Sequence, residues 1–347
     1  MKAMILAAGF GTRLAELGLD LPKPLFPVLN VPLIRWAVAF LKGHGIEEII
    51  VNLHHRGEMI RDELGDGAAL GVHIEYSMEE GEILGTGGGI KRALPFFGGP
   101  GGETFVVMNG KIVSDIDLHA AIAHHRQTGA AATMVLKPDP EAAKWGAIGI
   151  DGEGRIRRFL GAPDPSPAGV TEHMFTGVHL LEPRFVAALP DGPCCIVRAG
   201  YKPRFAAGDT PLSGYLHRGY FWDHSTPARW WQGNMNLLDP GREIPHAPPL
   251  ESLAHVPDGV TVTPPVHIAP DAILEPGARV GPNLVVGPRA TLRPGARAAH
   301  AVVCRDSVLS TAVDHAVVSP DNQVLSVDPS EAGPRTGPAL GKSQGGS

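Results

Sequence analysis

The chain has little cysteine, no surplus of basic charge, no long apolar run and few aromatic side chains, and each shortage removes a class of protein. Its three cysteines, the adjacent Cys194 and Cys195 and the distant Cys304, form neither a disulfide framework nor a CxxC metal site. A reducing, cytoplasmic compartment is the expectation. With 30 Lys and Arg against 36 Asp and Glu, the formal net charge is −6, so no basic excess tracks a nucleic-acid backbone. No apolar run approaches the ~20 residues of a membrane span. Glycine and Arg13 interrupt the apolar start at Met1–Ala8 before a signal-peptide core is complete. The sixteen histidines include the pairs His54-His55 and His124-His125, but none has the HExxH spacing of two ligands on one helix face. What remains is a globular chain of 347 residues, 43% hydrophobic, with length for about two domains and a sizeable core.

What is present first is alternation. Strand-like runs at Ala3–Ala8, Glu48–Leu53, Val72–Tyr76, Thr104–Met108 and Ala132–Leu136 are interleaved with helix-like runs. The latter are Pro32–Lys42, Glu58–Leu64, Gly88–Leu94 and Leu118–Thr128. Such a pattern predicts an α/β fold, a Rossmann-like mixed and mostly parallel sheet flanked by helices, over residues 1–238. Ligands of such sheets sit at the carboxyl ends of the strands.

From 239 to 265 the alternation stops and Pro240, Pro245, Pro248, Pro249, Pro257, Pro264 and Pro265 crowd together, which reads as a Pro-rich linker. A register of six then begins: Ile268, Leu274, Val280, Val286, Leu292, Ala298 and Cys304. Four residues after each stand Ala272, Ala278, Leu284, Ala290, Ala296, Val302 and Val308, small or branched side chains suited to the inside of a narrow coil. The pattern resembles hexapeptide repeats and predicts a short left-handed parallel β-helix over 266–328. So short a solenoid has little core of its own, and is expected to pack on the first domain or to make homo-oligomers. Residues 329–347, rich in Gly, Pro and Ser, are expected to be a disordered tail.

The most specific segment lies at the start. Met4-Ile-Leu-Ala-Ala-Gly-Phe-Gly-Thr-Arg-Leu14 and Pro22-Lys-Pro-Leu25 put a strand, a glycine turn and two cations in order. Gly9 and Gly11 let successive N–H groups approach phosphate oxygens, and Arg13 and Lys23 neutralise the remaining charge. The combination resembles the N-terminal signature of the sugar-1-phosphate nucleotidyltransferases, the pyrophosphorylases that make NDP-sugars. The resemblance covers roughly the first 240 residues. It implies transfer of a nucleoside monophosphate from an NTP, UTP or GTP, to a sugar 1-phosphate, with release of pyrophosphate and help from Mg²⁺. It places nucleotide contacts at Leu6, Ala8, Gly9, Gly11, Thr12 and Arg13. The run Glu82-Ile-Leu-Gly-Thr-Gly-Gly-Gly-Ile90 matches the base-recognition turn, giving Gly85, Thr86 and Gly87. Its wording resembles the muramate-1-phosphate uridylyltransferase and mannose-1-phosphate guanylyltransferase subgroups. Trp145-Gly146 and Phe175-Thr-Gly-Val-His179 match segments on the sugar side, giving Gly146, Thr176 and Gly177, with Asn109 beside them. Phe221-Trp222-Asp223 matches the strand that ends in a metal-binding aspartate, although Ser225-Thr-Pro227 also makes Asp223 readable as a helix cap.

Two segments depart from the pattern. In Val106-Val-Met-Asn-Gly-Lys-Ile-Val-Ser-Asp115, Lys111 stands where the resemblance implies the first metal-ligand aspartate. Three readings stay open: the ammonium of Lys111 neutralises phosphate itself, Asp115 or Asp117 joins Asp223 as a metal ligand, or the domain is a non-catalytic nucleotide- or NDP-sugar-binding regulator. In Arg157-Arg-Phe-Leu-Gly-Ala-Pro163, Gly161-Ala162 replaces the implied Glu-Lys, leaving Arg157 or Arg158 as substitutes for the lysine. Acyl transfer by the coil, with His267, His300 or His315 as base, is disfavoured because the coil is short and lacks long insertion loops.

Overall fold

Strand β1 (Lys2–Leu6) is flanked on both sides by parallel partners, β2 (Glu48–Leu53) and β4 (Phe105–Asn109), so its Ala3, Met4 and Ile5 are wholly buried. A strand covered on both faces needs a continuous apolar run rather than alternation. The structure is a computed structural model that describes all residues except 10, 11, 143–145, 254 and 334–347, and the main chain alone of 12, 13 and 15. With β3 (His73–Met78), β5 (Ala132–Lys137), β6 (Ile148–Ile150), β7 (Ile156–Phe159), β8 (Thr171–Leu181) and β9 (Leu212–Leu216), a nine-stranded sheet forms in the order β7-β6-β8-β4-β1-β2-β3. Strand β5 pairs with β8 on one side and with β9 on the other. The neighbours along β4-β1-β2-β3 and the pair β5-β9 are parallel, while β8 runs against β4, β5 and β6, and β7 against β6. The mixed α/β sheet with flanking helices expected from the alternation is the one observed, its parallel strands gathered at β4-β1-β2-β3. Helices Leu33–Gly43, Gly57–Leu64 and Leu118–Thr128 fall within a residue or two of their expected bounds.

The described chain divides into two compact units, and they do not coincide with one N-terminal domain ending at 238. One comprises Met1–Phe10, Ala37–Gly110 and Ser114–Phe221, and holds the large sheet. The other comprises Gly11–Trp36, Lys111–Val113 and Trp222–Ser347. Within this second unit the helix Pro227–Leu237 carries the reason. Trp230 Nε1 donates to Pro27 O at 2.8 Å, Trp231 Nε1 to His300 O at 2.9 Å, and Asn234 Oδ1 accepts from Leu29 N at 2.9 Å. Asn30 Nδ2 also donates to Val286 O. A helix whose buried face carries Trp230, Trp231 and Asn234 thus supplies the coil with the packing that so few rungs cannot supply themselves.

The coil itself is built from parallel ladders. Thr261 pairs with Arg279 and Arg279 with Arg297; Val266 pairs with Leu284; Ile273 pairs with Thr291. The first rung therefore begins at Thr261, inside the segment expected to be linker. Ile268, Leu274, Val280, Val286, Leu292 and Ala298 all point into the core, as their register requires. The register then slips. Leu284 pairs with Ala301 and Val286 with Val303, so Val303 rather than Cys304 continues the interior column. The next rung is shorter still, Val303 lying opposite Val318. Asn283, directly before the strand Leu284–Val286, and His300 and His315, within the strands Arg297–Val303 and Ala312–Val318, share positive φ values of 54, 45 and 47°. That common corner keeps the ladder aligned while residues are lost from the rung. Val308, expected inside, is exposed instead.

The first residues of the expected tail form a turn. Pro329–Ala332 forms a 3₁₀ turn capped by the Asp328 carboxylate, and Ala332 O accepts from Arg229 Nη1 at 2.8 Å. A hydrogen-bonded turn with a buried alanine is ordered structure; the remainder of the expected tail, 334–347, lies outside the described residues. Among the described residues no helix is long and apolar enough to cross a membrane.

Candidate active site

In the first unit the strand registers bring the expected residues to one row. Leu6 lies opposite Asn52 on one side and Asn109 on the other, at the carboxyl ends of three parallel strands. After β1, Ala7 and Ala8 are buried, while Gly9 is exposed and a Cβ added there would meet no described atom within 4 Å. Packing does not dictate that glycine. Gly11 lies outside the described residues; Thr12 and Arg13 open the 3₁₀ turn Thr12–Leu17, and their side chains are likewise outside the description.

The second glycine run has a different cause. The helix expected over Gly88–Leu94 runs over Gly85–Arg92, and so takes in the glycines matched to a turn. Glycine disfavours helix interiors by about 1 kcal/mol each, so four of them need a reason, and the neighbouring chain provides it. A Cβ on Gly87 would lie 2.7 Å from Cys194 Sγ, one on Gly88 2.5 Å from Gly192 O, and one on Gly89 2.7 Å from Glu79 Oε1. Gly85, at φ +67°, approaches Cys194 O in the same way. Gly87 N donates to Cys194 O at 2.8 Å, and Thr86 Oγ1 accepts from Ile196 N at 3.1 Å. Gly85, Gly87 and Gly88 let the helix sit on residues 192–196, and Gly89 leaves room for Glu79 and Asn52, requirements independent of any nucleobase.

A buried relay that sequence reading missed joins the two glycine segments. Ala7 N donates to Asn52 Oδ1 (2.8 Å), Asn52 Nδ2 to Glu79 Oε1 (2.7 Å), and Leu84 N to Glu79 Oε2 (2.8 Å). Glu79 is a fully paired carboxylate at 3% exposure. Nothing in its sequence neighbourhood sets it apart: it follows the half-polar strand His73–Met78 and precedes two further acidic residues, Glu80 and Glu82.

Strand β8 is bulged between Phe175 and His179. Thr176 Oγ1 donates to Val135 O at 2.7 Å and accepts from Val178 N, so its hydroxyl is spent on holding the bulge. Gly177 has φ +84°, and a Cβ there would stand 2.1 Å from Asn109 Nδ2. Asn109 and Gly177 are therefore a matched pair. Gly177→Ala is expected to lower unfolding free energy by about 1–3 kcal/mol, combining left-handed backbone strain with displacement of Asn109. Adding Asn109→Ala removes the clash but leaves the strain; urea unfolding of the two singles and the double should show partial relief, and strict additivity would refute the pairing. Gly146 also has positive φ, against Leu160, while Trp145 lies outside the described residues. Arg157 and Arg158 are already engaged, with Asp151 at 2.8 Å and Glu172 at 2.9 Å.

The second unit gathers the charges. Lys111 Nζ lies 2.6 Å from Asp223 Oδ2, and Lys23 Nζ donates to Ser225 O at 3.1 Å. Both ammoniums thus meet the short segment between the strand Phe221–Asp223 and the helix Pro227–Leu237. The helix is capped by Thr226, whose hydroxyl accepts from Arg229 N, so Asp223 is not the cap. Burial pushes the Asp223 carboxyl up, but Lys111, Ser225 and Arg229 together outweigh it and hold it below its ordinary value. His224 fixes Lys111 from behind: its backbone N–H and its ring Nδ1–H both donate to Lys111 O at 3.1 Å. The ring is fully buried, and it fits because Gly233 leaves out the Cβ that would stand 2.2 Å from Nε2.

The implied Mg²⁺ can be tested against these residues. A hard divalent ion needs several oxygen ligands, and here an ammonium, which has no lone pair to give, sits on the Asp223 carboxylate. Asp115 is paired with His217 at 3.0 Å, and Asp117 caps the helix Leu118–Thr128 through Ala120 N. Neither is recruited to Asp223 by any described contact. The residues present do not fit a Mg²⁺ site of the implied kind.

Residues 2–224 match the family described as Nucleotidyl transferase. The chain is 33% identical to a UTP–glucose-1-phosphate uridylyltransferase of Synechocystis over 70% of its own length, and spans 64% of that protein. It is 32% identical to a mannose-1-phosphate guanylyltransferase of Mycobacterium tuberculosis over 76% of its length and 72% of the relative's. It is 35% identical to an N-acetylmuramate alpha-1-phosphate uridylyltransferase of Neisseria meningitidis over 66% of its length and 95% of the relative's. Among solved structures, HddC from Yersinia pseudotuberculosis superposes with a TM-score of 0.56 at 21% identity, covering 68% of this chain and 99% of that one, which is a likeness of fold. With a family match across 2–224 and relatives of this similarity, the chain belongs to the nucleotidyl transferase family.

Proposed function

We propose that the chain transfers a nucleoside monophosphate from an NTP to a sugar 1-phosphate, releasing pyrophosphate. The observation that carries this reading is the pair of ammoniums, Lys23 and Lys111, held against Ser225 and Asp223 beside a helix N-terminus, in a chain whose exposed Gly9 follows its central strand. The relatives' names, uridylyltransferases and a guanylyltransferase, make UTP and GTP the first donors to test. The nucleophile is an oxygen of the sugar phosphate, already anionic at neutral pH, so no general base is required. The bond from α-phosphorus to the bridging oxygen breaks as the new P–O bond forms, and the electron pair leaves with pyrophosphate. Catalysis then consists of alignment and charge neutralisation.

In this reading Lys23 holds the α-phosphate and the incoming phosphate, and Arg13 the departing β and γ phosphates. The backbone at Leu6, Ala8, Gly9, Gly11 and Thr12 lies along the triphosphate. Gly85, Thr86 and Gly87 present backbone to the base, while Asn109, Gly146, Thr176 and Gly177 serve the sugar, Thr176 through its main chain. Incubating the protein with UTP or GTP and a panel of sugar 1-phosphates should release pyrophosphate with at least one pair. Silence with every pair, despite nucleotide binding, would sink the transferase reading. Lys23→Ala is expected to cut kcat/KM by about 100-fold, the scale of one well-placed transition-state cation, without changing the unfolding midpoint by more than the loss of one hydrogen bond would.

A further inference from the structure

We infer that Lys111 is the resident cation of this site, so that the ligand the chain selects is the metal-free nucleoside triphosphate rather than its Mg²⁺ complex; as regards turnover, the inference rests on the transferase reading. Three features of one unit support it. The ammonium is in direct contact with the carboxylate that a divalent ion would need, at 2.6 Å. The residue is not a flexible surface lysine swung there by chance, because its carbonyl is clamped by two donors of the buried His224. Asp223 is fixed in turn, its own carbonyl accepting from Arg229 Nε at 2.9 Å, with Arg229 stacked 4.3 Å from the Trp222 ring centroid.

The charges give the selectivity. An ion pair of Lys111 and Asp223 is neutral as a whole, but the Lys111 side chain remains 28% exposed and its ammonium has three N–H donors to share. A phosphate oxygen can share it, as a second anion on one –NH₃⁺. A phosphate carrying Mg²⁺ would instead bring a second cation against the first, with Asp223 already occupied, and like charges at such range repel. Divalent metal should therefore compete by sequestering the ligand instead of assisting its binding. The reaction balance is unaltered: no oxidant or added base enters, and the electron pair still leaves on pyrophosphate while ammoniums take the charge that Mg²⁺ would otherwise take.

The test is equilibrium binding of UTP and of GTP to the full chain, by titration calorimetry, in EDTA and then in excess Mg²⁺, with pyrophosphate release followed under both conditions. For whichever nucleotide binds, the affinity in EDTA should equal or exceed that in Mg²⁺. Lys111→Asp should lose about tenfold in EDTA, equivalent to 1.4 kcal/mol, and recover on adding Mg²⁺. Lys111→Met, which introduces no second carboxylate, should lose affinity in EDTA without recovering. Wild-type binding that falls by about tenfold or more in EDTA and returns with Mg²⁺ would overturn the inference. Binding in EDTA with no pyrophosphate under any condition would leave Lys111 as the cation and remove the transferase reading instead. Absence of binding under both conditions would remove both.

Discussion

Replacing Glu79 with alanine is expected to lower the unfolding free energy by about 3–5 kcal/mol, because two buried donors lose their acceptor at once and each such orphan costs about 1–3 kcal/mol. Those donors are Asn52 Nδ2 and Leu84 N, and Asn52 in turn holds Ala7 N at the end of the central strand. The effect should reach beyond stability. With the carboxylate gone, neither the Ala7–Gly9 segment nor the start of the Gly85–Arg92 helix keeps its shared anchor, so nucleotide affinity should fall in parallel. Glu79→Gln keeps the shape and one acceptor but turns an NH₂ toward another donor, and should fall between wild type and alanine. Urea unfolding at pH 7 measures the first effect and nucleotide titration the second. A loss below about 1 kcal/mol for Glu79→Ala would mean that solvent satisfies the freed donors, and the relay would not be the anchor described.

Mild acid should be the second large perturbation. Burial pushes His179 down to about 3 and His224 down to about 4, from an ordinary value of 6.5. Both rings are neutral in the folded state, His179 bonded to the Tyr201 hydroxyl and His224 to Lys111 O. The unfolded chain binds protons first, so stability is complete above pH 6.5 and is lost as pH falls from there toward the folded values. Each ring should contribute about 2 kcal/mol of loss between pH 7 and pH 5, or about 4 kcal/mol together. Asp223, held below its ordinary value, acts in the same direction only at still lower pH, as its carboxylate protonates. Urea midpoints collected across pH 5–8 should therefore fall steeply on the acid side. His179→Gln should remove about half of that slope. A flat profile from pH 7 to pH 5 would show that the two imidazoles do not titrate as buried neutral groups.

The kinds of element were legible because burial imposes a period on the chain. Leu118–Thr128 and Glu48–Leu53 match their expected bounds, and Ile268, Leu274 and Val280 enter the coil interior as their spacing predicts. One buried face selects either 3.6 or 2 residues per repeat, and a sequence displays that directly. Where a residue is lost from a rung, the period fails: Cys304 was in phase and Val303 is in the column. Local spacing cannot show an offset that is corrected by pairing with the previous rung.

The glycines divide along the same line. Gly9 meets no described atom that would exclude a side chain; Gly87 and Gly88 are small because residues 192–196 press on them from far along the chain, and Gly89 because Glu79 and Asn52 do. Both runs look alike in sequence. Only contacts between segments apart in the chain show which glycines packing requires.

By itself the sequence determined the α/β sheet, the coil, the family signature at Gly9–Lys23 and the anomaly of Lys111, because each is written in residue type and near spacing. The tertiary structure decided what the anomaly is. It set Lys111 Nζ on Asp223, 112 positions away, with His224 clamping it from behind, and it paired Asp115 and Asp117 elsewhere. A charge reversal read along the chain is a defect in a metal site; read in space it is an ion pair, since attraction between unlike charges depends on their separation and not on their distance in sequence.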